Sequence, residues 1–353
     1  MPLTIWMIVG VVISAVFAPV LLQPTMTYAS SEQPNIEAPT ESSGSEASTA
    51  SRLSDECSEI WMRVNAPSSG AGMPDLSGVS INTYSIRRNV YMLEASGDVA
   101  GNIAVLIGPD GVLIVDDQFE ALVPAIEIAI GKLDSGSLRY ILNTHHHDDH
   151  SDGNAKFVER SNALVVAHDA TRRRLALAKT PNHWPVLTFN SNLTLHFNSE
   201  RVRLLSLPGG HTDNDTVVLF ERANVAHLGD LMNSGTSSFP IADIRSGGNA
   251  LAIRSNVRKL IDLVDNETVI IPGHGPLSDK AGLQTLYTML EDTIEMVSRK
   301  RKQGLSRDEV VAQGVSDRYQ AWGYGYTSAE HWLGMVWDSI VLSECARNRG
   351  ALP

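Results

Sequence analysis

The run Thr144-His145-His146-His147-Asp148-Asp149-His150 constrains this chain more than any other stretch. Imidazoles and carboxylates this dense meet at one point only if the backbone turns sharply beneath them. The residues on either side predict such a turn. Leu138 to Leu142 reads as a short buried strand, and Asp152-Gly153-Asn154 with the amphipathic run to Arg160 reads as a helix start. The cluster therefore lies between a strand end and a helix start. Imidazole nitrogen and carboxylate oxygen are natural ligands of zinc and similar divalent ions. A hydrated polar loop is the competing reading, and the rest of the sequence argues against it.

Three further pieces carry the same chemistry. They are His211 in Leu207-Pro208-Gly209-Gly210-His211, Asp230 in His227-Leu228-Gly229-Asp230, and His274 in Ile271-Pro272-Gly273-His274-Gly275. Each follows an apolar, β-branched run and sits beside glycine, which lets the backbone turn tightly and approach closely. The order His-x-His-x-Asp-His, then His, Asp and His, resembles the metallo-β-lactamase superfamily of metallohydrolases. The resemblance runs from about Asn89 to Pro276.

The resemblance implies roles. His145, His147 and His211 would hold one metal ion, and Asp149, His150 and His274 a second, with Asp230 bridging both. Asp149 would also steer a hydroxide or shuttle a proton, and Asp116, at the end of the strand Val112 to Val115, would stand behind the ligands. Two zinc ions are expected, with iron or manganese as alternatives. Zinc lowers the pKa of bound water from about 16 to about 7, giving a hydroxide nucleophile at neutral pH. Asp230 is similar to the aspartate of hydroxyacylglutathione hydrolases, lactonases and tRNase Z, where zinc β-lactamases carry cysteine. His147 argues against the di-iron oxygen reductases, which carry glutamate there. Asn233, close to Asp230, is a candidate oxyanion donor. The expected activity is dinuclear hydrolysis of an ester, thioester, lactone or amide. An exported β-lactam-hydrolysing enzyme and a mononuclear iron persulfide dioxygenase are the alternatives.

The 353-residue chain is 43% hydrophobic and 19% charged, enough for one large domain. Its net charge is −12. Glu32, Glu37, Glu41, Glu46 and Arg52 carry −3 of this, leaving −9 on the body. Such a surface repels phosphate backbones, so the expected partner is a small-molecule substrate and not nucleic acid. Leu3 to Leu22 is uncharged and apolar, and Thr27-Tyr28-Ala29 resembles a signal-peptidase site. A signal peptide over 1–29 and a periplasmic or secreted body are expected. An uncleaved N-terminal anchor would be the one contact with a membrane. Residues 30–53 are poor in large apolar side chains and read as a disordered tether. The hydrolase domain spans 54–353. Cys57 and Cys345 are either a disulfide joining the ends of the body or two buried thiols.

Short β-rich runs fill Asn89 to Leu93, Asn102 to Ile107 and Val112 to Val115. Helical spacing follows over Leu122 to Leu133. A strand over Ala163 to Ala167 precedes a helix over Asp169 to Lys179, whose Arg172, Arg173 and Arg174 read as a solvated face. Two hairpins, a helix over Asn249 to Val264 and a strand over Thr268 to Ile271 come next. From about 278 the chain reads as helices over Leu283 to Lys302, Arg307 to Gln313 and Ala329 to Arg347. The expected class is α/β, an αββα four-layer sandwich of the metallo-β-lactamase type with extra C-terminal helices. His146 and Asp148 read as spacers, His227 as structural, and His168, His183, His196 and His331 as ordinary. Asn214 reads as a turn former, and Asp117 as a helix cap. The aromatics of His183-Trp184-Pro185 and of 322–326 either line a substrate pocket or pack against the body.

Overall fold

The computed structural model describes residues 43–65, 74–133, 136–235 and 238–349. Chain contacts divide it at Glu46 into a short N-terminal unit and a body from Ala47 onward. The body holds two sheets. The first has seven strands in sequence order: β1 (Ile81–Arg87), β2 (Val90–Ala95), β3 (Ile103–Leu106), β4 (Val112–Val115), β5 (Leu138–Leu142), β6 (Leu164–His168) and β7 (Leu187–Phe189). β1 to β4 form an antiparallel meander, and β4 to β7 run parallel. Between the parallel strands lie α2 (Val123–Leu133), then α3 (Asp148–Ser151) with α4 (Asn154–Ser161), then α5 (Asp169–Ala178). The second sheet, in the order β12, β11, β10, β9, β8, comprises β8 (Asn192–Phe197), β9 (Glu200–Ser206), β10 (Thr216–Phe220), β11 (Val225–His227) and β12 (Val269–Ile271). β11 and β12 are parallel, and α6 (Ala250–Leu263) connects them.

Strand alternation builds the layers. In β3, Ala104 and Leu106 face the second sheet, while Ile103 and Val105 face α2 and α4. In β10, Val218 and Phe220 meet the first sheet, and Val217 and Leu219 meet the helices beyond. The central strands β3, β4 and β10 are covered on both faces, which explains why they read as unbroken apolar runs. The order helix, sheet, sheet, helix is that expected. The outer layer beyond the second sheet combines α6 with α7 (Lys280–Lys302), α8 (Arg307–Ala312) and α9 (Ala329–Arg349). Leu283, Leu286, Leu290, Ile294 and Val297 make the inner stripe of α7, and the Asp279 side chain caps its first turn. Ser306 and Glu309 form a capping box on α8.

One expectation is corrected here. The tether assigned to 30–53 ends in helix, because α1 covers Ser43–Asn65. Leu53, Cys57, Ile60 and Val64, spaced by three and four residues, lay an apolar stripe on the helical layer. Cys57 and Cys345 are joined in a disulfide, which fastens α1 to α9. Glu56 adds an ion pair to Arg301 at 2.7 Å. Residues 1–42, including the expected signal segment, lie outside the described residues. Among the described residues no helix is long and apolar enough to cross a membrane.

Candidate metal centre

The seven expected ligands all come from loops that leave or join strands along one edge of the sandwich. β5 ends at Leu142 and delivers His145, His147, Asp149 and His150 through a turn that becomes α3. His211 lies between β9 and β10, Asp230 follows β11, and His274 follows β12. Backbone bonds tie these loops together: Thr216 N–H donates to Thr144 O at 2.8 Å, Asn102 N–H to Gly273 O at 2.7 Å, and Gly273 N–H to Gly229 O at 2.9 Å. Glycine is required where the loops touch. A Cβ on Gly273 would stand 2.0 Å from Asp230 Oδ1, and one on Gly101 would stand 2.2 Å from the His150 ring.

Three groups have the geometry to hold a metal ion: His145 with His147 and His211; Asp149 with His150 and His274; and His145 with His150 and Asp230. In the first, the ring centroids form a triangle with 4.7 Å sides. In the second, Asp149 Oδ2 is 3.1 Å from His274 Nε2 and 3.6 Å from His150 Nε2. Asp230 faces both groups. Its Oδ2 is 3.5 Å from His211 Nε2, and its Oδ1 is 3.1 Å from His150 Nε2 and 3.7 Å from His274 Nε2.

The outer ring nitrogens decide what the inner ones can do. His211 Nδ1 donates to Ile241 O at 2.9 Å, and His147 Nε2 donates to Asp243 Oδ2 at 3.0 Å. With the protons there, His211 Nε2 and His147 Nδ1 oppose two lone pairs at 2.9 Å. A proton or a metal ion shared between the rings relieves such a contact. Burial works to lower the His147 imidazole, but carboxylates such as Asp243 outweigh it and raise it. His150 Nδ1 is held by Asp116 Oδ2 at 2.8 Å, and its Nε2 faces Asp230 Oδ1 at 3.1 Å. Burial works to lower this imidazole too, but Asp230, Asp149 and Asp116 outweigh it and hold it well above its usual range. His145 Nε2, His150 Nε2 and Asp230 Oδ1 are buried without a hydrogen-bond partner. The donor set therefore fits divalent ions. The charges agree. Burial works to lower the His274 imidazole, but Asp230, Asp149 and Asp98 outweigh it and push it up to about 10. Burial works to raise the Asp149 carboxyl, but His150 and His274 hold it at about 2. The cluster holds a surplus of negative charge that a cation would neutralise.

Asp116 stands behind both groups. Its Oδ1 accepts Thr144 N–H at 2.7 Å. Its Oδ2 accepts from His150 Nδ1 and, at 2.7 Å, from Thr144 Oγ1, which lies 3.1 Å from His145 Nδ1. Its φ of +64° is a strained value for a side chain, and the carboxylate is fully buried. Asp117 is fully buried and accepts Gly153 N–H at 3.0 Å, tying the end of β4 to the chain before α4. Contrary to the expected capping role, it is the side-chain cap neither of α4 nor of the turn Glu120–Leu122. The segment Phe239 to Asp243 resembles an exported branch of the superfamily in sequence, but no role at the site was read from it. It holds the outer nitrogens of His211 and His147, and Asp243 N–H also donates to His211 O at 2.9 Å. No periodic signal marks these residues. An aspartate shortly after Asp230 is the one hint.

The secondary residues divide. His227 is buried and held by Asn102 O at 2.9 Å, a structural role. His146 accepts from Asn214 Nδ2 at 3.0 Å, and burial brings its imidazole down to about 4. Asn214 is fully buried and bonds Thr171 Oγ1 and His146, so it joins α5 to the histidine loop and is more than a turn former. Asp148 pairs with Lys179 at 3.0 Å. The solvated-face reading of α5 fails for two of its arginines. Arg174 pairs with Asp213 at 2.7 Å, and Arg172 lies over the Trp184 ring. Trp322 is core, and Trp184 donates to Lys179 O, whereas Tyr326 lines a cavity. That cavity, about 1220 Å³, opens on the cluster and is also lined by Asn233, Ile241, Arg63 and Met335.

Comparison with known proteins agrees with this geometry. Residues 96–274 match the model of the metallo-beta-lactamase superfamily. The chain belongs to that superfamily, a class of metal-dependent hydrolases. It is 30% identical over 181 residues to a hydroxyacylglutathione hydrolase of Acidiphilium cryptum, strain JF-5, covering 50% of this chain and 65% of the relative. The chain thus spans just under two thirds of the length of that curated relative. The fold is similar to that of a metallo-beta-lactamase from Pontibacter korlensis, with a TM-score of 0.53 at 18% identity over 60% of this chain and 99% of that one. It is similar also to DIM-1 metallo-beta-lactamase, with a TM-score of 0.52 at 19% identity over 61% and 99%.

Proposed function

We propose that the chain is a dinuclear metal-dependent hydrolase of a carbonyl compound, an ester, thioester, lactone or amide. The supporting observation is the pair of ligand groups with Asp230 turned toward both. His145, His147 and His211 would hold one ion and Asp149, His150 and His274 the other. Zinc is the first candidate, with iron or manganese as alternatives. Two divalent ions at such a site supply a water acidified toward neutrality and a Lewis acid for the scissile carbonyl. Asp149, ionised at neutral pH, accepts a proton from the attacking water and returns it to the leaving atom. Asn233, in the cavity wall beside His274, offers an amide N–H to the developing oxyanion. The name of the Acidiphilium relative puts thioesters first among substrates.

The test is elemental analysis of protein purified without chelator, with a screen of thioesters, lactones, esters, β-lactams and phosphodiesters. Two ions per chain and carbonyl hydrolysis are expected. One tightly bound ion, with content unchanged in Asp230→Ala, refutes the dinuclear reading. One iron with oxygen uptake on persulfides makes it a dioxygenase. We further propose export of the body from the cytoplasm. The Cys57–Cys345 disulfide supports this, since such bonds persist in oxidising compartments. A mature N-terminus at Ser30 is expected by mass spectrometry, and an intact Met1 on membrane-bound protein indicates an anchor.

A further inference from the structure

The walls of the cavity have two origins. The ligand cluster lies within residues 96–274, but part of the lining comes from α1, α8 and α9, outside that match. Arg63 of α1 and Arg307 of α8 meet there on one carboxylate. Arg63 Nη2 lies 2.8 Å and Arg307 Nε 3.1 Å from the same oxygen, Asp338 Oδ1 of α9. Asp338 is buried, whereas the Arg63 side chain keeps 46% and the Arg307 side chain 31% of its exposure. Two guanidiniums against one carboxylate leave one unit of positive charge facing the cavity. Asp308 Oδ1, 3.9 Å from Arg307, is 96% exposed and screened by water, so it neutralises little. The other cations of the lining are engaged: Arg174 with Asp213, and Lys179 with Asp148 and Asp152. The same lining carries apolar side chains, among them Val64, Ile241, Ile244 and Met335.

We propose that Arg63 and Arg307 form a carboxylate-binding subsite that selects substrates bearing an anionic group at the end of an apolar body, distant from the scissile carbonyl. The planar guanidinium offers parallel N–H donors that match a carboxylate, and Asp338 holds both arginines in place from behind. This inference rests on the hydrolase reading, and it gives α1 and the C-terminal helices a function in substrate choice. The disulfide between Cys57 and Cys345 then keeps the helix that carries Arg63 against the helix that carries Asp338.

The test compares para-nitrophenyl hydrogen suberate with para-nitrophenyl octanoate, equal in chain length and different in the terminal carboxylate. The readout is the ratio of kcat/KM, suberate over octanoate. In Arg63→Gln and in Arg307→Gln this ratio should fall about 10- to 100-fold, mainly through KM for the suberate ester. The triple variant Arg63→Gln, Asp338→Asn, Arg307→Gln removes the cluster without leaving a buried charge unpaired, and should lose the preference altogether. A ratio within about twofold of wild type in the triple variant overturns the subsite. So does a lowered Tm with an unchanged ratio, which makes the cluster a helix clamp alone. If wild type hydrolyses neither ester, binding decides the subsite separately. Calorimetric titration with suberate and octanoate should show suberate weakened in the triple variant and octanoate not. Equal suberate affinity in both proteins overturns it.

Discussion

Replacing Asp116 with Asn should weaken metal binding at both groups while leaving the fold intact. Asn is nearly isosteric and tolerates positive φ, so the +64° backbone is kept. The change is electronic. The carboxylate accepts three contacts, from Thr144 N, Thr144 Oγ1 and His150 Nδ1. An amide has one oxygen. With its NH2 toward Thr144 N, it opposes a backbone donor. With its NH2 toward His150, it opposes the Nδ1 proton and drives that proton to Nε2, the nitrogen that faces Asp230 and Asp149. A hydrogen bond to a charged group contributes about 1.5–3 kcal/mol. At about 1.4 kcal/mol per decade, that is about a 10- to 100-fold loss of affinity, the range typical for partners behind a metal-bound histidine. The direct link to His150 should suffer most. His145 should suffer less, since Asp116 reaches it only through Thr144 Oγ1.

Competition against graded chelator, with metal content measured in parallel, reads both sites. A double-mutant cycle with His150→Ala supplies the control, because the cost of Asp116→Asn at the second site should largely vanish once His150 is gone. Wild-type affinity in Asp116→Asn refutes the argument. An equal loss in the His150→Ala background also refutes it, since Asp116 would then act on the backbone and not on the imidazole.

Asp149→Asn at saturating zinc should lose more rate than metal, by about 100- to 10,000-fold, while His274→Ala should mainly lose metal and be partly rescued by excess zinc. Full activity of Asp149→Asn with metal restored makes Asp149 a ligand only. In chelated protein the raised His274 imidazole stabilises the fold fully below its unfolded value near 6.5 and loses that contribution as pH rises through about 10. The Tm of chelated protein should thus fall between pH 7 and pH 10, and that of metal-loaded protein should not fall in parallel; parallel curves contradict this. Reducing the Cys57–Cys345 bond, which links residues 288 apart, should lower unfolding free energy by about 2–5 kcal/mol in denaturant titration. No change on reduction would show that packing alone holds α1.

The ligand cluster was legible because its information is local. His145, His147, Asp149 and His150 occupy one turn, and His211, Asp230 and His274 each follow a strong β run with glycine beside them. The sandwich was legible for a related reason: β3, β4 and β10 are buried on both faces and leave unbroken apolar runs. What was missed carries a weaker signature. β1 has mostly exposed residues, and β7 is only three residues long. Helix α1 starts in a Ser-rich segment, and its stripe has meaning only against α9, nearly 300 residues away. The arginines of α5 looked solvated because helical spacing does not reveal that Asp213 and Trp184 lie across from them.

The same division separates chemistry from choice of substrate. Every group that meets the proposed ions lies between Asp116 and His274, a stretch in which each ligand is fixed by the strand or turn that bears it. A mutation there alters the ions or the proton path, whatever the substrate. The cavity wall outside that stretch is assembled from Arg63, Arg307 and Asp338, which no local pattern connects and which meet only because α1, α8 and α9 cover the second sheet. On the proposed reading, substitutions in that wall change the acyl group accepted without touching a ligand. If so, relatives with the same seven ligands but different helical covers should share the reaction and differ in what they hydrolyse. Exchanging only α1, α8 and α9 between such relatives should transfer preference while leaving metal stoichiometry as it was.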